Sequence, residues 1–128
     1  MRILAVSDRV LDKLYSGQTR RMFPDIDLII GCGDLPFYYL DFLTSALDAP
    51  LVFVRGNHDG IEQYAADGSV WRGVRGGVDI HGKIVTHKGL ILAGMQGSMR
   101  YKSRSDYMYS ESEMRMVVAQ MVPRLLWN

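Results

Sequence analysis

Three times in its N-terminal half the chain runs through a short apolar stretch and then breaks into small residues followed by an acid or an amide. The stretches are "RILAVSD" at 2 to 8, "DLIIGCGD" at 27 to 34 and "PLVFVRGNHD" at 50 to 59. Apolar runs of this length without polar alternation read as strands buried on both faces, the pattern of a parallel sheet. The segments between them have helical character. Val10, Leu11, Leu14 and Tyr15 recur at helical spacing ahead of Gly17, and Pro24 closes the segment, which predicts a helix over 10–23. Pro36 suits a first helical turn, and "FYYLDFLTSALD" has the apolar density of a helix packed on a sheet. The N-terminal half therefore reads β-α-β-α-β, an α/β fold.

Beyond Gly60 the pattern changes. "WRGVRGGVDIHGKIVTHKGLILAGMQGS" at 71 to 98 holds short apolar runs separated by glycine, the mark of hairpins, and predicts two or three strands of a second sheet. Ser110 followed by Glu113 forms a capping box that opens an amphipathic helix from Glu111 towards Val122. No repeat, low-complexity tract or linker divides the chain, so one domain over 1–128 is expected. The Leu-Leu-Trp end directly behind that helix reads as a cut through a larger domain, leaving an apolar surface suited to self-association.

With 128 residues, 48% of them hydrophobic, the chain can bury a core of its own. A formal charge of +1 offers no overall field for nucleic acid or an anionic membrane. Cys32 is the only cysteine, so no internal disulfide framework forms, and a reducing, cytoplasmic setting is expected. The N-terminal apolar run is too short for a signal peptide, and no run reaches transmembrane length.

If the three strands are parallel, Asp8, Asp34 and the Asn57-His58-Asp59 group end on one edge of the sheet. Their separations each suit one strand-helix-strand unit of roughly thirty residues. Carboxylates, an amide oxygen and an imidazole are ligands for divalent Mn, Fe, Zn or Mg, and one carboxylate can bridge two ions. Two such ions activate water, hold a phosphoryl oxygen and stabilise the charge of an in-line displacement, which is the chemistry of phosphoester hydrolysis.

At these positions the chain resembles the calcineurin-like metallophosphoesterases, whose N-terminal half carries D-x-H, then G-D, then G-N-H-D/E. "GCGD" and "GNHD" match fully. The resemblance implies the N-terminal half of an α/β/β/α sandwich, with a mostly parallel sheet, flanking helices and the start of a second sheet. It implies that Asp34 bridges two divalent metal ions, that Asp8 ligates the first and Asn57 the second, and that His58 stands beside the phosphate. It also implies a phosphorylated small-molecule or nucleotide substrate, hydrolysed by a metal-activated hydroxide. "GMQGSMRY" at 94 to 101 is similar to a Gly-Ser loop of the family and makes Arg100 a candidate phosphate contact. The first motif departs from the pattern, with Val10 where the family has a metal-binding His. The family's later G-H-x-H motif is not in these residues, so a complete metal set needs C-terminal ligands from elsewhere. The alternative is a non-catalytic module of the same type that binds a phosphorylated ligand or a protein partner.

Structural readings stand beside these. A lone Asp behind a strand is commonly a helix cap. Asp59 either fixes the His58 loop by hydrogen bonds or belongs to the site. His81 and His87 have no partners at metal spacing and read as ordinary strand or surface residues. Arg72, Arg75 and "RYKSR" at 100 to 104 read as solvated loops. The methionines from Met95 to Met121 read as core filling, and Tyr38 and Tyr39 as a packed helix face. No dinucleotide fingerprint or P-loop occurs.

Overall fold

The first apolar run forms β1 (Ile3–Val6) in a computed structural model that describes residues 1–103 and 106–127. The segment expected as a helix over 10–23 is instead a series of turns ending in a single-turn helix, α1 (Thr19–Met22). Thr19 supplies the reason. It is fully buried, and its hydroxyl lies 2.8 Å from the Leu14 carbonyl and 2.7 Å from that of Ser16. Such bonds compete with the helical ladder, and Gly17 in the middle weakens the ladder further. The second run forms β2 (Leu28–Gly31), the aromatic-rich segment forms α2 (Phe37–Leu47), and the third run forms β3 (Leu51–Phe53).

After Gly60 the strands are short. β4 (Gln63–Tyr64) and β5 (Val70–Trp71) make a small antiparallel hairpin. β6 (Gly77–Asp79) follows, then a second hairpin of β7 (Ile84–His87) and β8 (Leu90–Ala93). Lys88 and Gly89 both have positive φ, 46° and 83°, which makes the connection a two-residue type I′ turn. β9 (Ser98–Met99) and β10 (Met108–Tyr109) pair in parallel, and α3 (Glu111–Leu126) closes the described chain.

The principal sheet has the order β1-β2-β3-β6, parallel throughout. β6 corrects the expectation that the short apolar runs of 71–98 form hairpins of a second sheet, because it joins the parallel sheet instead. A Gly-Gly-Val-Asp segment has too few apolar residues to announce a parallel strand, yet Gly77 is what admits it. A Cβ there would sit 2.7 Å from Leu51 Cδ2. β1 is also corrected. It is an edge strand whose Ile3 and Ala5 are exposed, so burial on both faces is confined to β2 and β3.

The pleat sends alternate side chains into two cores. Ile29, Leu51 and Phe53 pack under α2 with Phe37, Tyr39, Leu40, Leu43 and Leu47. Leu28, Val52 and Ile80 pack on the opposite face, against Val85, Leu90 and Leu92 of the second hairpin. The protein is thus a mixed α/β fold with a parallel sheet and flanking helices. Tyr39 is buried, but Tyr38 is half-exposed, so the expected tyrosine face is half right. Met108 and Met121 are core, while Met99 and Met116 are exposed. α3 has the expected capping box, with Ser110 accepting from the Glu113 N–H and Glu113 from the Ser110 N–H, but it runs beyond Val122 through Pro123. A proline this near a C-terminus removes one donor and leaves few turns to disrupt. Among the described residues, no helix is long and apolar enough to cross a membrane.

Candidate functional site

Val6, Gly31, Phe53 and Asp79 form one register row, each the last residue of its strand, so the loops that follow leave from a common edge. Asp8 and Asp34 lie just beyond that row, both in the left-handed region with φ of 62° and 56°. Asp tolerates this conformation better than most residues, and here it turns the chain sharply off the sheet. The first two loops are tied by backbone bonds, Cys32 N–H to Val6 O at 2.8 Å and Asp8 N–H to Gly33 O at 3.3 Å.

The second and third loops cross at two glycines. A Cβ on Gly33 would stand 2.7 Å from Gly56 Cα, and one on Gly56 would collide with Asp34 Oδ1. With nothing in the way, Asp34 and the GNHD loop interlock. Asp34 Oδ1 accepts the His58 N–H at 2.8 Å. In return, Asp59 Oδ2 accepts the Asp34 N–H at 3.0 Å and the Gly56 N–H at 2.7 Å. Asp59 thereby holds the loop by hydrogen bonds, the structural one of its two expected roles. Burial pushes its carboxyl above the ordinary range against the pull of those two N–H groups, and the nearby Asp34 charge adds to the rise.

A cleft of about 220 Å3 opens here, lined by Asp34, Leu35, Pro36, His58, Asp59 and Gln63. The His58 side chain is exposed at its rim. Gln63 went unnoticed in the sequence, where nothing marks it. Its Oε1 accepts the Phe37 N–H at 2.7 Å, capping the start of α2. Asn57 donates from Nδ2 to the Tyr101 hydroxyl at 3.0 Å, and the Gly97 N–H donates to Arg55 O at 2.7 Å. The Gly-Ser stretch therefore does reach the site, through Gly97 and Tyr101. Arg100 turns elsewhere, its Nη2 lying 3.3 Å from both Met108 O and Glu113 Oε2 at the capping box of α3. Asp8 joins the others through its backbone, and its side chain borders a separate groove along β1 with Val6, Leu11 and Phe23.

Comparison with protein-family models, with curated proteins and with solved structures finds no match for this chain. What the site can do rests on its own donors. Asp8, Asp34 and Asn57 are oxygen donors at one sheet edge, yet among the described residues no three His, Cys, Asp or Glu side chains come together as a metal ion requires. Val10 packs against the core under α2. Among the described residues these donors do not by themselves make up a metal site.

The other histidines have structural partners. His81 Nδ1 accepts the Gln96 N–H at 3.1 Å, and the ring stacks on Tyr109 at 6.0 Å. Burial lowers its pKa, with Asp79 opposing. His87 Nε2 lies 3.1 Å from Asp27 O. Arg72 pairs with Glu62, and Arg75 lies over the Trp71 ring. Arg104 of the "RYKSR" stretch lies outside the described residues.

Proposed function

We propose that this chain carries part of the site of a metal-dependent phosphoester hydrolase of the calcineurin-like metallophosphoesterase type, acting on a phosphorylated small molecule or nucleotide. The observation that supports it most is the interlock around Asp34. Three separate strand-end motifs are joined at one edge by Asp8 to Gly33, His58 to Asp34, and Asp59 to both Asp34 and Gly56. A chance run of acids behind strands has no reason to bond in this way. The order of layers, α2 on the parallel sheet and the sheet on a β-hairpin, is compatible with the start of an α/β/β/α sandwich.

The reading calls for two divalent ions, Mn, Fe, Zn or Mg, with Asp8, Asp34 and Asn57 as donors and the remaining donors supplied from outside the described residues. When bound, such ions neutralise phosphoryl charge and activate water. The chain's own part is to hold Asp34 and Asn57 rigidly and to present His58 to the phosphate from the rim. Val10 favours a second reading, a non-catalytic module that binds a phosphorylated ligand, because the position of the missing histidine is committed to the core.

Elemental analysis of the purified protein, with Mn-stimulated hydrolysis of an aryl phosphodiester, separates the two. The hydrolase reading expects bound metal and turnover that drops at least about 100-fold in Asp34→Asn. Phosphate binding without metal or turnover selects the module, and neither metal nor phosphate binding sinks both.

A further inference from the structure

Arg55, the residue just before Gly56, is the most heavily engaged cation described in the protein. Its side chain is 11% exposed, so its charge must be met inside the fold. Nη1 donates to Gly60 O and Ile61 O, each at 3.1 Å, and Nη2 donates to Arg72 O. Nε faces Asp79 Oδ2 of β6 at 3.6 Å. The guanidinium also contacts two rings, with Cζ 5.0 Å from the Phe37 centroid and 5.6 Å from that of Tyr107.

These contacts have a direction. Arg55 is bonded covalently to the beginning of the loop that carries Asn57 and His58. Through Nη1 it is hydrogen-bonded to that loop's far end. A single planar group therefore closes the loop into a ring, and Asp79, Arg72, Phe37 and Tyr107 hold the group from four other segments. A lysine would keep the charge facing Asp79, but it lacks the rigid fork that reaches the Gly60, Ile61 and Arg72 carbonyls together.

We propose that Arg55 is a positioning residue, whose guanidinium sets the direction in which Asn57 and His58 are presented at the sheet edge. This rests on reading those two residues as site groups. A residue that merely held the fold would lower the thermal midpoint and the order of the loop together. The clamp separates them.

The test uses the full chain as wild type, Arg55→Lys and Arg55→Met, followed by thermal unfolding, amide hydrogen exchange and titration of the His58 ring signals with inorganic phosphate. In Arg55→Lys the midpoint is expected to stay near wild type. Exchange at residues 57–61 should rise at least about tenfold relative to the amides of β2 and β3, and phosphate affinity should fall with it. Arg55→Met should show the same loop opening with a lower midpoint. Unchanged loop exchange in Arg55→Lys would overturn the proposal, as would loop exchange that tracks the midpoint across both variants, or loss of folding in Arg55→Lys. The exchange measurement needs no turnover and no ligand. Wild type that fails to bind phosphate would therefore count against the functional reading while leaving the clamp decided by exchange.

Discussion

Asp59 shows how one carboxylate makes a tight crossing of two loops possible. Where the Gly33 and Gly56 backbones touch, the Asp34 and Gly56 N–H groups are part-buried, and Asp59 Oδ2 accepts from both. Asp59→Ala leaves those donors without an acceptor and is expected to cost about 1–3 kcal/mol in a chemical denaturation experiment. Asp59→Asn keeps an acceptor oxygen and should cost clearly less. The two variants also differ in pH dependence. Burial raises the folded carboxyl above its ordinary value of 3.8, so just above that pH the folded chain still holds a proton that the unfolded chain has lost. Stability contributed by this group falls as pH rises through that window, and Asp59→Asn should remove the slope.

The second hairpin is fastened to the sheet at its turn. Lys88, at the tip, pairs with the Asp27 carboxylate just ahead of β2, and His87 meets the Asp27 carbonyl. The Lys88 hydrogen bond, helped by the Arg2 N–H, holds the Asp27 carboxyl down to about 2, below its ordinary 3.8. A depressed acid contributes stability above its unfolded pKa and loses it as pH falls through the folded one. This contribution is therefore lost between 3.8 and about 2. In Lys88→Met the Asp27 carboxyl, followed by NMR titration, should move up towards its ordinary value. The unfolding curves of variant and wild type should differ at neutral pH and converge below pH about 2. An Asp27 titration unchanged by the substitution would rule the pairing out.

The parallel sheet is shared by two cores on opposite faces, with Leu43 of α2 buried in one and Leu28 of β2 buried under the hairpin in the other. Truncating either to alanine is expected to cost about 2–5 kcal/mol. Because β2 and β3 belong to both cores, either variant should lower a single transition seen alike by far-UV circular dichroism and tryptophan fluorescence. Two separated transitions in Leu28→Ala would mean that the hairpin layer folds independently of α2. The same sharing explains how the site edge is held. β6 brings Asp79 to Arg55, and the hairpin layer backs the strands from which the loops leave.

The three strands of the N-terminal half, α2 and the capping box were legible because local patterns specify them. Continuous apolar runs mark strands, buried on both faces in β2 and β3 and on an edge in β1, and the Ser110–Glu113 pair satisfies its own helix end. The motif residues were legible for the same reason, since each follows a strand within a few positions. Other features depended on what lies across the fold. Thr19 melted the expected first helix by bonding backwards to Leu14 and Ser16. β6 became a strand because Gly77 fits against Leu51, a residue far away in sequence. Arg55 became the centre of the site loop through partners at Gly60, Arg72, Asp79, Phe37 and Tyr107, none of which announces the others. Sequence alone determined which strand ends carry oxygen donors, because short-range hydrophobic pattern decides where strands stop. Tertiary packing decided which of those donors meet and what holds them, because close approach and buried charge are settled only when distant segments compete for the same space.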